Sequence, residues 1–341
     1  MDISARVQQK FKLVSTLSLI AVVFIHGKFI MSRWDFCMDT NTWMGRVSDI
    51  VQFSISEQIC RLAVPLFFLI SGFFMTYHNY GSFKQYKIKI NSRIRSLLVP
   101  YLLFSTTWLV VMVSTGRTNL NSIWDFLHYV FVSPVSFQFW FLQHLMVLAL
   151  VSMLFYHLIK RFDIWVMVAL GVIYLLDHDL RTGFGGSLFY YSMGIFLSQK
   201  PFHIKYPIFG ILFLLLFVLL ATMRFINFNL NYNIYCIASK VMIFLGVCGI
   251  ISWIFEERIP LNPFQWQTMR ADTRFFIFCT HEPLLSLLKN IYLQYFHVQY
   301  IILLGYFVLP VVTILLCLTV DYYLHKNHIT EKLYKVLTGG R

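Results

Sequence analysis

The chain has 341 residues, of which 58% are hydrophobic, 18% aromatic and only 13% charged. That balance excludes an ordinary soluble domain and places the protein among polytopic membrane proteins. The net charge of +13 is no nucleic-acid signature here, because membrane proteins gather their basic excess in cytoplasmic loops. The six cysteines (Cys37, Cys60, Cys236, Cys248, Cys279, Cys317) are scattered without a CxxC pair, so neither a disulfide framework nor a zinc or other metal site is expected.

Ten apolar segments follow in order: 11–31, 59–77, 96–114, 137–158, 163–177, 184–198, 206–223, 235–255, 273–295 and 299–324. A run of ~20 apolar residues crosses a ~30 Å hydrocarbon core as a helix. The fifth and sixth segments are short, which implies local bilayer thinning or re-entrant pieces. The first has a basic start but no small-x-small cleavage site, so it reads as an uncleaved span. Loop charge alternates. The N-terminal tail (Arg6, Lys10, Lys12), the second loop (Lys84, Lys87, Lys89, Arg93, Arg95), the fourth (Lys160, Arg161), the sixth (Lys200, Lys205) and the C-terminal tail are basic. The first loop, 32–58, balances Arg33 and Arg46 against Asp35, Asp39, Asp49 and Glu57, and the fifth is near neutral. By the positive-inside rule both termini are cytoplasmic. With no repeat, linker or soluble insert, residues 1–341 read as one all-α membrane domain, a polytopic helical bundle with about ten transmembrane helices.

Four constellations stand out. His26 closes the run LIAVVFIH, about 20 Å along the first helix from Leu13; it is either a proton-transfer group in the bundle or a helix-end side chain reaching the headgroups. Arg93 and Arg95, in KINSRIRSLLVPY (89–101), sit where the third span begins. Guanidinium groups and the free N–H groups of a helix start there could hold phosphate, although basic residues in that place also fix topology. Trp140 and His144 are four apart on one helical face, with Gln143 beside them, a polar group in want of a partner. His281 and Glu282 are adjacent in the ninth segment, ~100° apart around a helix, so one of them faces the interior.

These pieces, in this order, resemble the acyltransferase-3 family of integral membrane acyltransferases. The likeness is carried by LIAVVFIH (19–26), VPLFFLISGFF (64–74), the Arg-rich lead into LLVPYL (97–102), FWFLQHL (139–145), YSMGIFL (191–197) and FFIFCTHEPLL (275–285), and it covers almost the whole chain. It implies transfer of an acyl group, commonly acetyl from acetyl-CoA at the cytoplasmic side, onto a hydroxyl of a glycan or similar acceptor. His26 would be the general base, with His281 or Glu282 orienting it or relaying the proton. Arg93 and Arg95 would hold the donor phosphates, and Trp140, Gln143 and His144 would contact substrate. The family pattern carries Arg or Lys eleven residues before the histidine, where this chain has Ser15. Lys12, fourteen before His26 and within ~40° of the same face, is placed to supply that charge. The expected location is a bacterial cytoplasmic membrane, and a homo-oligomer is compatible with the pattern. The competing reading is a proton-coupled transporter of a lipid-linked or amphipathic solute; the lack of an inverted repeat counts against it.

Overall fold

The structure is a computed structural model that describes residues 3–29, 42–77, 80–134, 137–177, 183–200, 206–226, 231–256, 268–326 and 328–340. Among the described residues there are helices and no strand. In chain order they are α1 (Ala5–Gly27), α2 (Trp43–Thr76), α3 (Phe83–Ser114), α4 (Ile123–Val132), α5 (Trp140–Phe162), α6 (Ile164–Leu176), α7 (Phe184–Gln199), α8 (Tyr206–Phe225), α9 (Tyr232–Phe255), α10 (Ala271–Tyr295), α11 (Gln299–Lys326) and α12 (His328–Leu337).

All ten expected segments are helical, and the chain is a multi-pass integral membrane protein. Helices α1, α2, α3, α5, α8, α9 and α11 are long and apolar enough to cross a membrane. Of the other three, α6 has 13 residues and α7 has 16. Helix α10 has 25 residues, but Asp272, Arg274, His281, Glu282 and Lys289 interrupt its apolar character. Two expectations need correction. Much of the first loop is helical, because α2 begins at Trp43; residues 32–41 of that loop lie outside the described residues. Arg93 and Arg95 do not flank a helix start either. Ser82 caps the helix at Phe83, and the chain runs through a π turn at 94–98 into the membrane segment, so no free N–H groups are available beside these arginines.

Irregular turns precede two of the helix prolines. A proline lacks the N–H for an i→i−4 bond and its ring presses on that carbonyl, which favours altered winding in the turn before it, although α10 and α11 stay α-helical around Pro283 and Pro310. Pro65 follows a π turn at 53–59 and a 3-10 turn at 60–62, and Pro100 follows the π turn at 94–98.

Packing in lipid is governed by backbone approach rather than by hydrophobicity, since lipid tails are as apolar as Leu. Helices α2 and α7 cross at reciprocal glycines. A Cβ on Gly72 would lie 2.1 Å from the Tyr191 carbonyl oxygen, and one on Gly194 would lie 2.0 Å from that of Leu69. These are two of the segments that carry the family resemblance. A little further on, the Thr76 and Ser198 hydroxyls meet at 2.7 Å. Helix α1 packs on α2 through Phe11 and Phe73, with ring centroids 5.2 Å apart, and on α11 where Gly27 leaves room for Pro310.

Four lysines end four helices. The ammonium of Lys10 donates to the carbonyls of Trp253 (2.8 Å) and Glu256 (2.6 Å) at the end of α9. Lys89 donates to Met75 (2.6 Å) and Tyr77 (2.8 Å) at the end of α2. Lys240 donates to Tyr174 (2.8 Å) and Asp177 at the end of α6, and Lys289 to His26 (3.2 Å) and Lys28 (2.6 Å) at the end of α1. Each places a full positive charge where the last carbonyls of a helix concentrate partial negative charge.

Because backbone contact at the α2–α7 crossing leaves no room for a methyl group, Gly194→Ala should lower stability by about 1–3 kcal/mol or more. Gly210 on α8 has no neighbour within 4 Å of such a Cβ, so Gly210→Ala should be neutral or slightly stabilising. Thermal melts of the two purified variants should separate clearly; matching melts would mean that the crossing can open at little cost.

Candidate functional site

Helix α1 starts where the Ser4 hydroxyl accepts from the Val7 N–H and stops at Gly27. His26 is therefore in its last turn. Its ring meets that of His281 from α10, with centroids 5.2 Å apart and planes at 64°. His281 is fully buried. Its Nδ1 lies 3.0 Å from the Ile277 carbonyl and 2.9 Å from that of Phe278. Carbonyls only accept, so Nδ1 carries the hydrogen and Nε2 the lone pair of the neutral ring. That Nε2 is buried with no hydrogen-bond partner among the described residues. Of the adjacent pair on α10, His281 is the member turned to α1. Glu282 is half-buried and accepts from Ser286 one turn on.

The end of α1 is fastened from three sides. Lys289 caps it from α10, on the same helix as His281. From α2, the Ser56 hydroxyl donates to the Phe24 carbonyl (2.9 Å) and lies 2.8 Å from the Tyr306 hydroxyl of α11. The Gln52 side chain accepts from the Phe29 N–H at 3.0 Å. Glu57 pairs with Lys28 at 3.2 Å and with Arg61 at 2.6 Å. The π turn of α2 spans 53–59 and so carries both Ser56 and Glu57. Sequence reasoning missed Lys289, Ser56, Glu57 and Tyr306. A signal existed for Lys289, a charged side chain inside an apolar segment, but its partner is a carbonyl more than 260 positions away.

His144 stands apart from this pair. Its Nδ1 lies 2.9 Å from the Ser187 hydroxyl of α7. Its ring is edge-on to Trp140 and to Phe184, with centroids 5.1 Å away in both cases. Phe68, Phe141 and Phe278 form a chain of rings between His144 and His281, with successive centroids 6.4, 4.7, 5.4 and 6.0 Å apart. Trp140 and His144 therefore act as neighbours, while Gln143 turns away. It donates to the Tyr101 hydroxyl (2.9 Å) and the Phe131 carbonyl (2.9 Å), tying α5 to α3 and α4.

The basic candidates lie toward the other end of α1. Lys12 is exposed, about 21 Å along the helix from His26. Ser15 donates to the Phe11 carbonyl at 2.8 Å, a satisfied helix hydroxyl. Arg93 is half-buried beside Lys89 and Tyr191, and Arg95 is exposed. Neither arginine makes a hydrogen bond or ion pair among the described residues. The five described cysteines are buried and free. Among the described residues no cluster of three His, Cys, Asp or Glu side chains is arranged to hold a metal.

The chain matches the acyltransferase-3 family, described as an acyltransferase domain, over residues 12–322. It is 26% identical over 369 residues to the succinoglycan biosynthesis protein ExoH of Rhizobium meliloti (strain 1021), an alignment that covers 99% of this chain and 93% of that protein. No solved structure matches it.

Because the Lys289 ammonium satisfies carbonyls at the end of α1, Lys289→Met should cost about 1–3 kcal/mol. Lys289→Arg should recover part of it, and Lys12→Met, at an exposed site, should cost little. Thermal melts of the purified variants check this. An unchanged melt for Lys289→Met would mean that the end of α1 finds other donors.

Proposed function

We propose, from the premise that this chain belongs to the acyltransferase-3 family and is an acyltransferase, that it moves an acyl group from an acyl-coenzyme A donor onto a hydroxyl of a glycan, with acetyl as the group moved. The meeting of His26 and His281 between α1 and α10 carries the reading. It is a pair of imidazoles from two helices in the interior of a membrane bundle, where polar groups are costly and mark function. Similarity to a succinoglycan biosynthesis protein supports a polysaccharide acceptor. Family membership favours transfer over transport of a lipid-linked solute.

In this mechanism neutral His26 takes the proton of the acceptor hydroxyl as its oxygen attacks the thioester carbonyl. The new C–O bond forms, the C–S bond breaks, and the leaving thiolate takes the proton back from the imidazolium. His281, its Nδ1 held by two backbone carbonyls, offers Nε2 as a fixed acceptor that orients His26 or the acceptor hydroxyl. Lys289, Ser56 and Tyr306 hold the end of α1 in register with α10, which is what keeps the two rings together. Arg93 and Arg95 attract the donor phosphates as exposed or half-exposed charges, without help from a helix start. Trp140 and His144 form a second polar place, set off by three aromatic rings, where a sugar ring could stack on the indole.

The charge alternation of the loops supports cytoplasmic termini, with the donor entering from the basic end and the acceptor meeting His26 from the far side. In a Cys37→Ser background, a cysteine at exposed Asn119, in the turn after α3, should react with an impermeant reagent in intact cells. A cysteine at exposed Ser82, before α3, should react only after permeabilisation. Equal reaction at both would overturn the orientation.

The direct test of the reaction is acyl transfer by purified protein. His26→Ala should remove nearly all of it. His26→Gln keeps hydrogen bonding but takes no proton at working pH, so it should lose about 10²-fold or more. If the Gln variant holds more than about a tenth of the rate, His26 positions the acceptor only, and the base is His281.

A further inference from the structure

Among the described residues nearly every interior cation already has a structural task. Lys10, Lys89, Lys240 and Lys289 end helices, and Lys28 and Arg61 share Glu57. Two half-buried cations have neither a helix end nor a carboxylate: Arg93, already considered as a donor contact, and Arg274. Arg274 is the fourth residue of α10. One nitrogen, Nη1, donates to the Met269 carbonyl (2.5 Å) and comes within 3.5 Å of the Thr16 hydroxyl on α1. Its Nε and Nη2 make no hydrogen bond among the described residues. The nearby acids are engaged elsewhere. Asp272 is held by Arg270 at 2.7 Å and by His325, and Asp321 by the hydroxyls of Thr273 (3.0 Å) and Tyr334.

The position of this fork is informative. Arg274 and His281 are seven residues apart, ~700°, within ~20° of two full turns, so both lie on the face that α10 turns to α1. On α1 the matching positions are Thr16 and His26, about 15 Å apart along the helix. A single seam between two helices thus holds the imidazole pair at one end and a half-committed guanidinium toward the basic end. A guanidinium is built to take two oxygens of a phosphate at once, and it carries its charge at any working pH.

We propose that Arg274 is a donor-binding residue whose free Nε and Nη2 take the phosphate oxygens of coenzyme A while the thioester lies at the His26–His281 pair. This rests on the reading that the donor is an acyl-coenzyme A. The extended pantetheine arm bridges a separation of this size, so phosphate and thioester fit the same seam. Lys12, exposed on the α1 face that Ser15 shares with His26, sits one turn below Thr16, whose hydroxyl donates to the Lys12 carbonyl at 3.0 Å. It extends the positive charge toward the mouth.

The test uses purified full-length protein and two probes that differ only beyond the pantetheine arm: coenzyme A and pantetheine, the second lacking every phosphate. Binding is measured by calorimetry for the parent chain, Arg274→Met and Arg274→Lys, and transfer is followed with the acetyl form of each probe. Arg274→Met should weaken coenzyme A at least about tenfold and raise KM for acetyl-coenzyme A in step, with kcat little changed. Pantetheine binding and transfer from acetyl-pantetheine should stay within about twofold, which also shows that the variant is folded. Arg274→Lys should fall between, keeping charge without the fork. Equal losses for both probes would make Arg274 a structural residue, and unchanged coenzyme A binding would remove it from the donor site; either overturns the assignment while leaving the donor reading intact. If the parent chain binds no coenzyme A, the donor reading and the Arg274 assignment fall together.

Discussion

A helix that stops inside a membrane bundle leaves its last carbonyls without partners, because hydrocarbon supplies no hydrogen-bond donors. In this protein four helix ends, those of α1, α2, α6 and α9, are met by lysine ammonium groups, each from a different helix. Each contact offsets two costs at once. It desolvates a charge against the backbone dipole that complements it, and it satisfies carbonyls that would otherwise be orphaned. It also ties together elements far apart in sequence. Lys289 is the most consequential of the four, since the helix it ends carries His26 and the helix it comes from carries His281.

The same economy explains which polar residues remain open for chemistry. Buried hydroxyls and amides mostly bind local carbonyls or each other, as Ser56 and Tyr306 do at 2.8 Å. His281 is one of several buried groups left with an open atom among the described residues, as are Ser105, Gln138 and Ser192, and it is the one that faces His26, with Nδ1 committed to the backbone and Nε2 without a partner. A buried, unsatisfied acceptor persists only where something else compensates, and a substrate hydroxyl arriving at the His26 edge would do so. The rings of Phe68, Phe141 and Phe278 isolate this pair from His144, so the two histidine centres are distinct environments rather than one cluster.

The close crossing of α2 and α7 gives the bundle a backbone-to-backbone contact that does not rely on side-chain fit. Gly72 and Gly194 face each other's helix, so a side chain at either would push α2 and α7 apart there. Helix α2 supplies Ser56 and Glu57 to the end of α1. The same helix thus carries both contacts, with Ser56 and Gly72 some 16 residues, about 24 Å of helix, apart.

Much of this was legible in the sequence because it depends on properties that are local along the chain. Apolar runs made the polytopic helical fold legible, with seven helices long and apolar enough to cross a membrane, and the ordered short motifs pointed to the acyltransferase family. The rule that ionisable groups in such runs are costly singled out His26, His144 and the His281–Glu282 pair. What stayed hidden depends on pairing across the chain. Periodicity set His281 and Glu282 ~100° apart but could not tell which one faces α1. Gln143 and His144, adjacent in sequence, serve different neighbours. The continuity of α3 through its π turn removed the helix start expected beside Arg93 and Arg95, because a π turn within a continuous helix leaves no signature in hydropathy. In the sequence Lys10 and Lys89 count only as topology signals and nothing names a partner for Lys240 or Lys289; only the tertiary structure makes the four of them helix ends. A carbonyl has no side chain to betray it in a sequence, so its partner can be known only once the backbone is folded around it.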